Sequence, residues 1–174
     1  MAKYVISDTH FGHTRMLEEA YEARPFASVE EMDAIMVANW NKVVKNGDVI
    51  YHLGDFALAT RERKRDLLEQ LNGYKILIMG NHDKWRGQTT NDWCENGFAE
   101  VYRDYLIIKE AYILSHRPIF ADIPAINFSV ENWDYRPVPF PTTAQALQLC
   151  GHSHSAWLFR EADAHANDKN KKEK

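Results

Sequence analysis

At 174 residues with a formal net charge of −4, the chain is long enough to bury a substantial core and too acidic to grip extended nucleic acid through a basic face. Hydrophobic residues make up 45% and charged residues 26%, the balance of a soluble globular protein, and no apolar stretch reaches the ~20 residues needed to span a bilayer. The opening MAKYVISD enters a strand-like pattern at once, without a cleavable signal, and Cys94 and Cys150 stand isolated, so two reduced thiols in a cytoplasmic protein are expected.

Lys3–Ser7 reads as a short strand. Ser28-Val29-Glu30-Glu31 fits an S-x-x-E capping box, and Val29, Met32, Met36, Trp40 and Val43 follow at helical spacing until Asn46-Gly47. Val49–Leu53 is the next strand, Thr60 caps a helix running to Leu71 before Asn72-Gly73, and Lys75–Met79 is a strand again. Glu100–Tyr102, Tyr105–Ile108 and Tyr112–Ser115 are further strands, the last two joined through Lys109-Glu110. Thr142–Gln148 is expected to be a short helix leading into Leu149-Cys150. Strands alternating with helices in the first half argue for an α/β sheet with helices on its faces, and the later strands argue for a second, stacked sheet. One domain spans residues 1–162. Asp163–Lys174 (DAHANDKNKKEK) lacks aromatic and branched aliphatic residues and is expected to be a mobile charged tail.

Polar residues recur where these strands end. The first strand runs into Asp8-Thr9-His10 and the second into Gly54-Asp55. The third runs into Gly80-Asn81-His82-Asp83, Tyr112–Ser115 into His116, and Leu149-Cys150 into Gly151-His152-Ser153-His154. Taken singly, each is readily explained as turn polarity. Jointly, at the carboxyl ends of strands where α/β sheets place their ligands, they predict a metal site. Asp8, His10, Asp55, Asn81, His116, His152 and His154 offer carboxylate, imidazole and amide donors, a mixture suited to Mn²⁺, Fe, Zn²⁺ or Ni²⁺ rather than to a cysteine-rich structural zinc site. Seven donors are too many for one ion with an open position but enough for two if one carboxylate bridges, an arrangement suited to phosphate-ester hydrolysis.

This ordered set of five blocks resembles the calcineurin-like metallophosphoesterase family over roughly residues 4–157, and SDTHFGH and VIYHLGDF look like its small bacterial and phage-type members. The resemblance implies a four-layer α/β/β/α sandwich of two stacked mixed sheets and a centre of two divalent ions, Mn²⁺ foremost. It implies that Asp8, His10 and His154 hold one ion, that Asn81, His116 and His152 hold the other, and that Asp55 bridges. His82 is then the catalytic group over the leaving oxygen, with Asp83 orienting its ring. The implied reaction is in-line attack of a metal-bridging hydroxide on a small phosphodiester or phosphomonoester, with a nucleotide among the candidates. The alternatives are a nuclease acting on nucleic acid ends and, from another class, a non-catalytic scaffold on the same fold. The expected partner is a small phosphorylated substrate, with neither extended nucleic acid nor membrane.

His13 and Arg117 are further candidates for contact with a phosphate oxygen. His52, inside VIYHL, is expected to hydrogen-bond behind the ligands. Trp85-Arg86, Trp133, Tyr135 and Trp157 are expected to pack as aromatic core, with base stacking as the functional alternative. The stretch Ile126–Val138 usually follows the GHxH block in similar small members. Here it precedes it, which bears on the edge of the second sheet and on the substrate opening.

Overall fold

The computed structural model describes residues 1–109, 111–119, 125–127, 138–139 and 147–152. The tail Asp163–Lys174, His154, Trp133, Tyr135 and Trp157 lie outside the described residues.

The first sheet is assembled from strands β1 (Lys3–Ile6), β2 (Val49–His52), β3 (Tyr74–Ile78) and β4 (Glu100–Tyr102), with β8 (Val138–Pro139) at its far edge, in the order β4-β3-β2-β1-β8. The pairs among β1 to β4 are parallel, as connections through helices demand, and β8 runs antiparallel to β1. Between them lie helices α1 (Val29–Val43), α2 (Arg61–Gln70) and α3 (Thr90–Asn96). The second sheet comprises β5 (Tyr105–Ile108), β6 (Tyr112–Ser115), β7 (Ala125–Asn127) and β9 (Leu147–Cys150) in the order β5-β6-β9-β7. Its β5–β6 hairpin is antiparallel and turns at Lys109, which adopts a left-handed φ of 51°.

The apolar pattern explains the layering. Along β1 and β2, alternate side chains go to opposite faces. Ile6 and Ile50 join Met32, Met36, Trp40, Leu67, Leu68 and Trp93 in a core between the sheet and its helices. Val5, Tyr51 and Leu53 point the other way and pack with Ile76 and Ile78 against Tyr112, Leu114 and Leu149 of the second sheet. Among the described residues the chain is therefore a mixed α/β protein of two sheets and three α-helices, with one core on each face of the first sheet. Among the described residues no helix is long and apolar enough to cross a membrane. Neither Cys94 nor Cys150 is in a disulfide.

Helix starts follow their caps. The Ser28 hydroxyl accepts from the Glu31 amide, while the Glu31 carboxylate accepts from Ala27 rather than from the Ser28 amide. Thr60 accepts from the Arg63 amide, and α2 ends one residue short of Leu71. The sequence reading misses α3, although Thr89 and Asp92 form a complete capping box there.

A second difference concerns Thr142–Gln148. The part that is described, Leu147 and Gln148, is strand and not helix: both residues pair in parallel with Tyr112 and Ile113 of β6. Buried Gln148 accepts from the Ile119 amide, so tertiary pairing overrides local helix preference. The displaced stretch Ile126–Val138 contributes to both sheets, with Ile126 and Asn127 in β7 and Val138 in β8. Pro139 sits where an edge strand tolerates a missing donor.

Replacing the half-buried cap of α1 tests this local account. Ser28→Ala is expected to lower unfolding free energy by about 1 kcal/mol in urea titration, with an unchanged m-value.

Candidate metal centre

The exits of β1 and β2 stay laced together beyond the sheet. The amides of Asp8, His10 and Phe11 donate to the carbonyls of Gly54, Asp55 and Phe56 at 2.9, 3.0 and 2.9 Å. This ladder sets Asp8 and His10 beside Asp55 in an unusual backbone: Asp8, His10, Asp55 and His152 have φ of 54°, 50°, 55° and 72°. Left-handed non-glycine residues cost of order 1–3 kcal/mol each and persist only where the surroundings over-determine them. Here the surroundings include buried Arg24, whose guanidinium donates to the Thr9 carbonyl at 2.8 Å and to the Asp8 carbonyl at 3.0 Å.

Buried Asp55 is the centre of the cluster. Its Oδ2 lies 3.3 Å from His116 Nε2, 3.9 Å from His10 Nε2 and 4.0 Å from His82 Nε2, while Oδ1 accepts from the His82 amide at 2.8 Å. Burial opposes its ionisation, but the hydrogen bond and charge of His116, with His10 and the His82 amide, hold its pKa well below the usual carboxylate range. His116 is oriented by its other ring nitrogen. Nδ1 lies 2.8 Å from the Leu53 carbonyl, an acceptor only, so Nδ1 carries the hydrogen and Nε2 presents a lone pair in the neutral ring. That Nε2 faces Asn81 Oδ1 and His152 Nδ1, each at 3.1 Å. Burial disfavours charge on His116, but Asp55, Asp8 and the Leu53 carbonyl outweigh it and raise its pKa.

Asp8 joins the cluster with its Oδ1 4.0 Å from His10 Nε2. Its Oδ2 accepts from Ser7 Oγ at 2.5 Å and from the His152 amide at 2.9 Å, which brings the end of β9 onto the end of β1. Such closeness requires glycines. A Cβ on Gly80 would overlap Asp55 Oδ1, and one on Gly151 would overlap Ser7 Oγ.

Donor atoms of His10, Asp55 and His82 lie within 4.8 Å of one another, and so do those of Asp55, His116 and His152. Two three-residue groups thus share one carboxylate. The donor set fits divalent cations: carboxylate and imidazole converge in a buried space, and the His116 tautomer leaves its inward nitrogen open for coordination. Of the seven expected ligands, Asp8, His10, Asp55, Asn81, His116 and His152 come together, and His154 lies outside the described residues.

The sequence model of the family described as calcineurin-like phosphoesterase matches residues 1–168. The chain belongs to the calcineurin-like phosphoesterase family. It is 49% identical over 162 residues to "Uncharacterized protein MJ1445" of Methanocaldococcus jannaschii, covering 83% of this chain and 90% of that protein. It is 37% identical over 81 residues to "Gene 66 protein" of Mycobacterium phage L5, covering 44% of this chain and 37% of the phage protein. Among solved structures it is similar to the protein of unknown function AQ665 from Aquifex aeolicus, with 34% identity and a TM-score of 0.52 over 67% of this chain and 61% of that one. Membership in this family implies metal-dependent hydrolysis of phosphoesters.

One phosphoesterase residue is placed differently from the expectation. Asp83 does not orient the ring of His82. Its fully buried carboxylate accepts from the amides of Asp55 (2.7 Å), Gly80 (2.9 Å) and Phe56 (3.0 Å), which consumes its oxygens in holding the exits of β2 and β3 together. Burial, reinforced by the charge of Asp55, pushes its pKa up to about 6 against the pull of those amides. The His82 ring instead stands edge-on to His10, with centroids 5.2 Å apart, and 5.8 Å from His13.

His13 is buried, and its Nδ1 has no hydrogen-bond partner among the described residues. Burial, then the charges of His82, Arg15 and Arg24, lowers its pKa. Arg117 is exposed, with Nη2 3.3 Å from Asn81 Oδ1. His52 behaves as expected: its Nδ1 accepts from the Gly54 amide, so Nε2–H donates to Thr9 Oγ1 at 2.9 Å, and that hydroxyl donates to the Phe56 carbonyl. Burial, with a smaller push from His116 and an opposing pull from Asp55, drives the His52 pKa down to about 3.

Sequence reasoning missed Ser7, Arg24 and the amide-holding role of Asp83. Ser7 adjoins the candidate ligand Asp8, a signal that could have pointed to it. Nothing local in ARPF marks Arg24, whose partners lie fifteen and sixteen residues away.

Two stability measurements follow. Asp83→Ala strands three buried amides and is expected to cost about 3 kcal/mol or more in metal-free protein, read by urea denaturation; a loss under about 1 kcal/mol would show the carboxylate to be dispensable. His52 is protonated in the unfolded chain below pH 6.5 and in the folded chain only near pH 3, so its contribution is complete above 6.5 and is lost as pH falls. The stability gap between the parent and His52→Gln should therefore narrow by up to about 1.4 kcal/mol per pH unit below 6.5.

Proposed function

We propose that this chain is a dinuclear phosphoesterase that hydrolyses a small phosphodiester or phosphomonoester, nucleotides included, in the cytoplasm. The observation that carries the reading is Asp55, one buried carboxylate shared by two groups of imidazole donors. Asp8, His10 and His154 would hold one ion, Asn81, His116 and His152 the other, with Asp55 between them. Two divalent ions, Mn²⁺ foremost and Fe, Zn²⁺ or Ni²⁺ as alternatives, supply neutralisation of phosphoryl charge and an activated water. In keeping with its family, the complete chain would be a four-layer α/β/β/α sandwich.

The chain's own residues supply position and protons. His116 is held by the Leu53 carbonyl so that it cannot rotate away from Asp55, which keeps the two donor groups in register. Arg117 beside Asn81 offers a guanidinium fork at the exposed rim, where a phosphate oxygen enters. His82 is 30% exposed, unlike the buried His10 and His116, and its Nε2 borders the cluster. From there it gives a proton to the leaving oxygen, a role typically worth ~10²–10⁴-fold. His13, behind His82, limits how far that ring can swing.

Hydrolysis of bis-p-nitrophenyl phosphate and p-nitrophenyl phosphate tests the reading. Turnover of at least one should require added Mn²⁺ and stop with chelator, and the ratio separates diesterase from monoesterase. No turnover of either with any of the four metals would favour the scaffold alternative. His82→Ala should lose about a hundredfold or more in rate while retaining metal, whereas Asp55→Ala should lose metal on elemental analysis. The reverse pattern would make His82 a ligand, which its closeness to His10 and Asp55 makes a real alternative outcome.

A further inference from the structure

A second concavity begins where the donor cluster ends. A cleft of about 460 Å³ lies between the first turn of α2 and the 3-10 turn Trp85–Gly87, within the size range of small-ligand sites. His82 lines it, so the residue proposed to protonate the leaving oxygen stands on the border between the two spaces. Whatever occupies the cleft is therefore on the leaving-group side of the scissile bond.

The lining is cationic. It includes Arg61, Lys64 and Arg86, and none of its residues is a carboxylate. Arg61 is partly committed to an ion pair with Glu95 of α3. Arg86 is exposed, with its guanidinium 4.9 Å from the centroid of the Trp85 ring. Lys64 is the informative member. It is only 5% exposed, and its ammonium donates to the neutral amide oxygen of Gln88 at 2.9 Å and rests 4.4 Å from the centroid of the Trp93 ring. Among the described residues no carboxylate lies within 4 Å of it. Burial lowers its pKa, and the more distant charge of Asp83 only partly opposes this.

A buried cation without a counter-ion is costly to keep. The cost is offset if an anion binds there, and the N-terminal end of the ten-residue α2, facing the same cleft at Thr60 and Arg61, favours negative charge too.

We propose that this cleft is a subsite for a second phosphate, carried by the leaving group of the substrate and bound by Lys64 and Arg86. The inference rests on the phosphoesterase reading and deepens it by naming the substrate class: phosphoesters whose leaving group is itself phosphorylated. Water adds to phosphorus, the bond from phosphorus to the leaving oxygen breaks, and that oxygen takes a proton from His82, which recovers one from the attacking water. The products are the hydrolysed phosphate and a phosphorylated alcohol, the latter leaving through the cleft.

The test uses the full chain loaded with Mn²⁺ and compares propane-1,3-diol bisphosphate with propyl phosphate as inhibitors of bis-p-nitrophenyl phosphate hydrolysis. The parent should bind the bisphosphate about tenfold or more tightly than the monophosphate, and in both Lys64→Met and Arg86→Ala this preference should fall to about threefold or less. An unchanged preference in both variants, or none in the parent, overturns the subsite. Arg86 is exposed, so Arg86→Ala remains informative if Lys64→Met does not fold. Should the parent hydrolyse neither nitrophenyl ester, the phosphoesterase reading fails separately, and calorimetric titration of the same two phosphates into metal-loaded parent and variants still reads the subsite.

Discussion

The site depends on one buried carboxylate that serves the backbone. Asp83 gathers the amides of Asp55, Phe56 and Gly80 onto its two oxygens and so welds the end of β2 to the end of β3. In water such amide bonds would contribute little, but in a fully desolvated place each unmet donor carries its whole desolvation cost. Asp83 also reaches back into the core through its own carbonyl, which accepts from the indole of Trp93 at 2.9 Å. The loop that presents Asn81 and His82 is thereby seated on the helical core.

Around that weld, backbone geometry does what side-chain chemistry alone could not. Asp8, His10, Asp55 and His152 all take left-handed conformations, which turn successive side chains inward where an extended chain would alternate them. Arg24 from one side and the His52–Thr9 pair from the other hold the strained loop after β1. The glycines at 80 and 151 then allow backbone to approach within contact distance of the carboxylates of Asp55 and Asp8. Each of these supports serves an atom rather than a surface.

Two sheets are needed because the donors come from both. Asp8, His10, Asp55 and Asn81 follow strands of the first sheet, and His116 and His152 follow parallel strands β6 and β9 of the second. The apolar layer of Val5, Leu53, Ile78, Leu114 and Leu149 therefore fixes the distance across the site as well as stabilising the fold. Its carboxylate and imidazole groups meet at its rim, where Asp55 faces His116 and Asp8 receives the His152 amide.

Periodicity and caps sufficed for α1, α2 and six of the strands, because short parallel strands and amphipathic helices write their burial directly into residue order. The five polar strand exits were equally readable, since a parallel sheet delivers its strand ends to one edge whatever its details. What residue order could not reveal was partnership across long separations. Leu147 and Gln148 became strand because β6 and β7 flank them, and Val138 and Pro139 found β1. Asp83, adjacent to His82 in sequence, is drawn instead to amides 27 and 28 residues away, because a buried carboxylate takes the donors that enclose it. By itself, then, the sequence determined which donors exist and that they gather. Only the tertiary structure decided which of them gather around Asp55 and which hold the backbone in place, because that choice is made by burial and distance rather than by residue type.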